Sequence, residues 1–436
     1  MSRTAGDEVA ALTADLIRID TSNYGDGSGP GERAAAELVA GLLSDVGLDP
    51  VLFESDPGRA SVVARWAGTD PSRPALVLHG HTDVVPARVQ DWQVDPFAAE
   101  VRDGMVWGRG AVDMKGMDAM ILSVVRQRVL EERPPARDVV VAMFADEESG
   151  GVRGSHYVVE HHPELFAGAT EAISEVGGYS VEVAGRRAYL LQTAEKGLTW
   201  LRLVAEGRAG HGSQVNPDNA VVRLAEAVAR IGTYRWPLQL GTTARALLAG
   251  VADLTGLPFD PADEDSVQAL VAALGPAARF VGATVRHTTT PTSLTAGYKM
   301  NVVPGRAEAT VDGRFLPGGE SQLSQVVAAL AGERVRVETV HRDPALEAPV
   351  TGPLVDAMAT AVQAEDPGSI VLPYLLSAGT DNKALSDLGI VGYGFMPLRL
   401  PADLDFAAMF HGVDERVPIT SLQFGTRVLD RLLDLV

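Results

Sequence analysis

The chain has 436 residues, 37 of them basic and 57 acidic, and its net charge of −20 disfavours binding to nucleic acid or to an anionic membrane surface. Hydrophobic residues make up 46% and charged residues 22%, a globular balance, and the length exceeds one ordinary core, so about two to three domains are expected. The sequence has no cysteine, which excludes disulfides, thiolate zinc sites and cysteine nucleophiles.

The first part of the chain alternates predicted helices with predicted strands. Apolar residues at helical spacing predict helices over residues 8–19, 33–46 and 117–131, and a helix that starts near residue 154. Short apolar runs predict strands over residues 61–66, 75–78, 139–144 and 171–174. This alternation favours an α/β fold with a mostly parallel central sheet, covered by helices on both faces.

The pattern changes after Gln192 and returns near Pro349. A strand, helix, strand, strand, helix, strand order is predicted over residues 198–206, 219–231, 292–298, 307–315, 321–331 and 334–339, which indicates a ferredoxin-like α+β unit. Residues 236–286 interrupt this unit with helical runs and are interpreted as an insertion. Helices over 353–364 and 419–435 and strands over 369–373 and 390–395 resume the α/β pattern. We therefore predict one catalytic domain, residues 1–193 and 346–436, split by a lid domain of residues 194–345.

Imidazole and carboxylate groups gather where the buried strands of the first part should end. The segments are HGHTD at residues 79–83, GRGAVDMKG at 108–116, DEE at 146–148 and SE at 174–175. Ligands of open α/β sheets bind at the carboxyl ends of strands. One imidazole with several carboxylates at that edge predicts a hydrolytic metal site.

Local geometry indicates which roles some of these residues can have in a metal site. His81 can bind an ion through one ring nitrogen while Asp83, two residues along an extended chain, holds the other nitrogen. Asp113 lies in a glycine-rich turn, where the backbone can approach ions closely, and it suits a bridging role.

The remaining acids allow more than one assignment. Glu147 and Glu148 are adjacent and diverge at a strand end, so one can bind metal while the other faces the reacting water. Glu175 can complete the ligand set of the second ion. Taken singly, a His-x-Asp pair, an acidic run or a glycine-rich turn is more often a solvated surface feature. All of them at strand ends of one domain are hard to obtain by chance.

These segments resemble the clan MH co-catalytic zinc metallopeptidases, which include acetylornithine deacetylase, succinyl-diaminopimelate desuccinylase, aminoacylase, glutamate carboxypeptidase and carboxypeptidase S. The resemblance covers nearly the whole chain and implies a zinc-peptidase catalytic domain with a lid/dimerisation domain. It implies two Zn²⁺ per chain, with Co²⁺ or Mn²⁺ as substitutes, and a cis peptide after Asp113. The implied ligands are His81, Asp113, Glu148, Glu175 and His411, with Asp113 bridging both ions and Glu147 acting as the general base.

The resemblance also implies roles for residues of the lid and of the last turn. His211, in the segment GRAGHGS at 207–213, would polarise the scissile carbonyl, often from a partner subunit. Asn301 and Arg306 would contact a substrate carboxylate, since arginine can hold it by paired hydrogen bonds, although Arg306 after a Pro-Gly turn also reads as a surface residue. Gly379 and Thr380 form a family-like turn near the substrate, in a segment with less serine than usual.

The implied activity is hydrolysis of an amide or peptide bond in small substrates, N-acyl amino acids or short peptides that bear a free carboxylate. Segments 296–304 and 411–416 and the long insertion look most like the carboxypeptidase S branch. A deacetylase or desuccinylase of amino-acid biosynthesis, a catalytically silent binding protein and a single-metal non-hydrolytic enzyme with Mg²⁺ or Mn²⁺ are the alternatives. Without an apolar signal region or a membrane-length stretch, we expect a cytoplasmic protein. A homodimer through the lid is implied, although some relatives with long insertions are monomers.

Overall fold

The protein is described here for residues 4–436 by a computed structural model. Its strands are β1 (Val51–Asp56), β2 (Arg59–Trp66), β3 (Ala75–His81), β4 (Glu100–Arg102), β5 (Met105–Trp107), β6 (Val139–Phe144), β7 (Ala169–Ser174), β8 (Tyr179–Val183), β9 (Arg186–Glu195), β10 (Gly197–Glu206), β11 (Gly210–His211), β12 (Thr288–Ala296), β13 (Val302–Val303), β14 (Arg306–Phe315), β15 (Val335–Asp343), β16 (Leu346–Glu347), β17 (Ile370–Leu376), β18 (Val391–Gly394) and β19 (Arg416–Pro418). Its helices are α1 (Ala5–Arg18), α2 (Arg33–Ser44), α3 (Lys115–Leu130), α4 (Ser155–His161), α5 (Ala220–Thr233), α6 (Thr242–Thr255), α7 (Glu264–Ala272), α8 (Ala278–Val281), α9 (Glu320–Ala331), α10 (Pro353–Glu365), α11 (Asn382–Ser386) and α12 (Ile419–Leu435). The predicted helices and strands are present to within a few residues. The elements that were not predicted are strands β1, β4, β5, β8, β9, β11, β13, β16 and β19 and helix α11.

The larger sheet is mixed. Its main path runs β1-β2-β6-β3-β7-β18-β9-β16, and β17 and β8 also pair with β9. The central strands β6, β3, β7 and β18 are parallel, as predicted, whereas β1, β2 and β6 pair antiparallel at one end. Parallel central strands point their carboxyl ends to one edge, which is where the predicted site lies.

Both faces of this sheet are buried. Alternate residues of β6 enter different apolar clusters: Val139, Val141 and Met143 face one, and Val140 and Phe144 the other. Helices α1, α3, α10 and α12 cover the first face, and α4 and α11 cover the second. A continuous apolar run is therefore the expected sequence of such a strand. No helix within residues 4–436 combines the length and the apolar character that crossing a membrane needs.

The smaller domain has the predicted strand and helix order. Strands β10, β12, β14 and β15 pair antiparallel in the order β12-β14-β10-β15, with α5 and α9 packed on them. This is the ferredoxin-like arrangement that the sequence predicts.

The insertion packs differently from its predicted place in the lid domain. Leu247, Leu248 and Val251 of α6 enter the same apolar cluster as Leu372 of β17, and α7 and α8 join it. The apolar face of α6 thus lies on the larger sheet, so most of residues 236–286 belong to the core of the larger domain. Trp236, at the start of the segment, stays in the core of the smaller domain.

A small sheet brings the C-terminal loop to the glycine-rich turn. β19 pairs antiparallel with β5, and β5 with β4. Residues 411–415, which precede β19, therefore lie beside residues 108–113, which follow β5. This pairing places His411 near Asp113 despite their distance in the sequence.

Candidate metal centre and active site

His81, the last residue of β3, is the buried imidazole at the centre of the site. Its Nδ1 donates to the backbone oxygen of Asp83 at 3.0 Å, because a carbonyl can only accept. Its Nε2 lies 3.2 Å from Asp113 Oδ1 and 3.5 Å from Glu175 Oε2. In the neutral imidazole, Nε2 therefore carries the free lone pair and faces two carboxylates, as a metal ligand requires.

Asp113 lies between two histidines. Its Oδ2 is 3.2 Å from His411 Nε2, which is itself 3.0 Å from Glu148 Oε2. Two sets of ligand atoms result, one from His81, Asp113 and Glu175 and one from Asp113, Glu148 and His411, each with its atoms within 4.8 Å of one another. The predicted metal ligands are thus brought together, with Asp113 shared by both sets. The Asp113–Met114 peptide is cis, as the resemblance implies.

The charges of these groups favour bound cations. Burial raises the pKa of the Glu147 and Glu175 carboxyls well above the ordinary value, and that of Glu148 also rises. Hydrogen bonds that His411 donates to the carboxylates of Asp113 and Glu148 raise the pKa of its imidazole to about 10. Buried carboxylates in this number are costly unless cations neutralise them.

The donor atoms fit zinc. Among the described residues, Glu148 Oε1 is a buried oxygen without a hydrogen-bond partner, and it lies within a set of carboxylate and imidazole donors. Zn²⁺ binds such nitrogen and oxygen ligands, and Co²⁺ and Mn²⁺ accept them too.

Glu147 belongs to neither ligand set and lines the adjacent cavity. Its Oε2 is 4.0 Å from His81 Nε2, so the carboxylate lies beside the ligand atoms. Both adjacent acids line the cavity, but only Glu148 belongs to a ligand set. This placement agrees with the role of general base, which stays a prediction.

Asp83 is fully buried and does not line the cavity. Its carboxylate accepts from the backbone N–H groups of Glu147 at 3.1 Å and Glu148 at 3.2 Å, and from Asn23 Nδ2 at 2.9 Å. Asp83, grouped with the catalytic residues because it is predicted to hold the second ring nitrogen of His81, lies where it can position His81 and the acidic turn. Asn23 was missed because a glycine-rich loop with one asparagine carries no distinguishing signal.

Glu415 is a second residue that sequence reasoning missed. Its buried carboxylate accepts from Arg109 Nη1 at 2.7 Å and from the backbone N–H groups of Gly110, Val112 and Asp113 at 3.0, 2.6 and 3.0 Å. Arg109 Nη2 also donates to the backbone oxygen of Gly412 at 2.8 Å. Glu415 and Arg109 thus hold the Asp113 turn against the His411 loop. The only local signal is an acidic residue four positions after the histidine.

A cavity of about 330 Å³ opens between the two domains beside the ligand sets. Gly379 and Thr380 line it, as predicted. Thr380 is anchored from behind, because its backbone N–H and its hydroxyl both donate to Glu195, at 3.1 and 2.6 Å. The smaller domain contributes Trp200 and Arg314 to the cavity wall.

The residues predicted from the lid lie outside this cavity. His211, Asn301 and Arg306 are exposed and do not line it. His211 Nδ1 lies 2.7 Å from Ser213 Oγ, and Arg306 Nε donates to Glu308 at 2.5 Å. Within one chain, the carboxylate-binding role predicted for Arg306 therefore does not fit. Arg306 begins β14 and Arg314 is eight residues later, about 26 Å along an extended strand, so the opposite end of β14 reaches the site.

Most of the chain is similar to known proteins. Residues 77–435 match the model of peptidase family M20/M25/M40. Carboxypeptidase S-like 2 from Dictyostelium discoideum is 28% identical over 377 residues, 82% of this chain and 71% of that protein. Aminoacylase-1 from Homo sapiens is 27% identical over 417 residues, 93% of this chain and 90% of that protein.

The fold is also found among solved structures. The M20 family metallo-carboxypeptidase Sso-CP2 from Sulfolobus solfataricus superposes with a TM-score of 0.75 at 19% identity, covering 98% of this chain and 99% of that one. This likeness shows the fold, and together with the family match it confirms the resemblance. The chain belongs to peptidase family M20/M25/M40 and is a hydrolase of the carboxypeptidase or aminoacylase type.

Proposed function

We propose that the protein hydrolyses the amide bond of N-acyl amino acids or short peptides that bear a free carboxylate. The observation that carries the proposal is Asp113, shared by two ligand sets beside a cavity that Glu147 lines. The relatives support the substrate class, since they include an aminoacylase, a carboxypeptidase S-like protein and an N-fatty-acyl-amino acid synthase/hydrolase from Mus musculus.

Each residue of the site has a proposed role in the reaction. His81, Asp113, Glu148, Glu175 and His411 would hold two zinc ions. Bound zinc supplies a Lewis acid for the carbonyl and lowers the pKa of water. Glu147 takes the proton of the attacking water and returns it to the leaving amine. Asp83 keeps the His81 ring and the acidic turn in place through the hydrogen bonds described above.

Arg314 is proposed to bind the substrate carboxylate. It lines the cavity, and its Nε and Nη2 donate to Asp312 at 2.7 and 3.1 Å, which orients the guanidinium. Replacing Arg314 by alanine is expected to raise KM for carboxylate-bearing substrates at least about 10-fold, since a charged hydrogen bond contributes about 1.5–3 kcal/mol. Steady-state kinetics of Arg306→Ala, at the far end of the same strand, provide the matched control, which should keep the wild-type KM. A raised KM for Arg306→Ala together with an unchanged KM for Arg314→Ala would contradict this assignment.

A homodimer through the smaller domain is proposed as the way in which His211 reaches a catalytic cavity. The exposed position of His211, outside the cavity of its own chain, supports a contribution to a second copy. Mixing inactive Glu147→Gln and His211→Ala chains should restore activity, because a mixed dimer contains one intact site. The dimer would be ruled out if the mixture stayed inactive and the protein sedimented as a monomer in a sedimentation-velocity experiment.

A hydrolysis screen tests the proposed function. The zinc-loaded protein is given N-acetyl, N-succinyl and N-long-acyl amino acids and dipeptides that share one C-terminal residue. We expect turnover of at least one class, its loss on chelation, and its return with Zn²⁺, Co²⁺ or Mn²⁺. Preference for acetyl or succinyl groups would favour the deacetylase or desuccinylase alternative. No turnover by fully metal-loaded protein would favour the silent binding protein.

A further inference from the structure

The cavity wall beside His411 is aromatic, and one of its rings comes from the insertion. Phe280 of α8 and Phe410, the residue before His411, both line the cavity. Their ring centroids are 5.6 Å apart and their planes are nearly perpendicular, at 88°. This edge-to-face arrangement is a favourable contact between aromatic rings.

Further rings hold this wall from behind. Phe410 also packs edge to face against Phe406, with ring centroids 5.3 Å apart, and Phe406 contacts Tyr179 at 5.1 Å. Phe406 is 4% exposed, so Phe410 is supported by the core of the larger domain. The rings therefore form one surface that packs against the core of the larger domain.

The insertion fixes Phe280 equally firmly. Its neighbours Ala277 and Val281 are buried in the cluster that also contains α6 and the larger sheet. Arg279 lies beside Asp405 at 3.7 Å, on the loop that leads to Phe406 and Phe410. The insertion thus closes against the His411 loop and completes the cavity wall.

Other apolar side chains extend this wall. Val176, Leu198, Trp200 and Leu376 line the same cavity. A substrate without an apolar group would leave these surfaces facing water, whereas a phenyl or branched alkyl group would bury them and gain the hydrophobic contribution. The cavity therefore combines a charged centre with an apolar wall.

We propose that Phe280, together with Phe410, makes the enzyme selective for substrates that carry a phenyl or branched alkyl group next to the scissile amide. The inference rests on the proposed function and names the substrate class of the same site. The apolar group can belong to the acyl part or to the amino-acid side chain, and the two are separated by experiment.

The test compares three compounds. N-acetyl-alanine is the reference, N-acetyl-phenylalanine carries the ring on the side chain, and N-phenylacetyl-alanine carries it on the acyl group. For the zinc-loaded wild type, we expect kcat/KM for one phenyl compound to exceed that for the reference at least about 10-fold, the scale on which apolar pockets discriminate. Phe280→Ala should reduce this ratio about 10-fold, and Phe280→Leu should reduce it less.

Phe259→Ala is the matched control, because Phe259 lies in the same insertion, is also partly buried and does not line the cavity. It should keep the wild-type ratio. An unchanged ratio in Phe280→Ala for both phenyl compounds would overturn the inference. An equal loss on all three compounds, with reduced zinc content, would also overturn it, since Phe280 would then act through the placement of His411.

Binding measurements separate this inference from the proposed function. Calorimetry measures the affinity of the same compounds for two zinc-loaded proteins, the single variant Glu147→Gln and the double variant Glu147→Gln/Phe280→Ala. The Glu147→Gln change prevents turnover in both. A phenyl preference that Phe280→Ala abolishes supports the aromatic wall even if the wild type hydrolyses none of the compounds. Equal affinity for all compounds contradicts the inference. It does not bear on the proposed hydrolysis, which the hydrolysis screen tests separately.

Discussion

Replacing Glu147 by glutamine is expected to lower kcat by about 10²–10⁴-fold, the usual contribution of a general acid–base group. Glutamine keeps the shape of the side chain but cannot take a proton from water. Because Glu147 belongs to neither ligand set, the variant should bind as much zinc as the wild type. Steady-state kinetics with metal analysis of the same samples measure both quantities.

Two control variants separate the base from the ligands. Glu148→Gln changes a carboxylate whose Oε2 lies 3.0 Å from His411 Nε2, so it should lose zinc as well as activity. Glu160→Gln, on the exposed side of α4, should change neither. Near-wild-type turnover by Glu147→Gln would show that another group takes the proton.

Replacing Glu415 by glutamine is expected to lower the free energy of unfolding by about 3–5 kcal/mol, the cost of breaking a buried ion pair from one side. Arg109 and Glu415 are 3% and 0% exposed at their side chains, so the remaining charge would stay buried. The amide group of glutamine would also present a donor where Glu415 now accepts from backbone N–H groups. Denaturant unfolding of the zinc-loaded protein measures the change.

The same variant should bind zinc more weakly, because Glu415 holds the Asp113 turn against the His411 loop. Asp414→Asn is the matched control: Asp414 is the neighbouring acid, and its Oδ1 accepts from the Gln93 backbone N–H at 2.8 Å, a bond that asparagine can keep. Asparagine also tolerates the positive φ of 57° at this position. Equal stability and zinc affinity in both variants would show that Glu415 is dispensable for the site.

The positions of the ligand residues at the strand ends were predictable, because the direction of a strand determines the edge of the sheet at which these residues lie. His81 and Glu175 each follow an apolar run, and in parallel strands the ends of such runs meet at one edge. The ferredoxin-like order of the smaller domain was also predictable, since its strands and helices carry their own periodicities.

The roles of the lid residues were harder to predict because they depend on distance from the site. Arg306 and Arg314 belong to one strand and differ little in local pattern, yet Arg314 lines the cavity and Arg306 does not. A motif resemblance selects a segment, but the end of the strand that meets the other domain is a property of how the domains pack.

The sequence by itself determined the fold class, the family and the chemical groups of the metal site, because periodicity and strand-end acids are local features. Tertiary structure alone decided that the insertion packs on the larger sheet and brings Phe280 to the cavity. It also decided that Glu415 ties the Asp113 turn to the His411 loop. These outcomes arise from contacts between segments far apart in the chain, where burial and hydrogen-bond satisfaction choose among many locally equivalent residues.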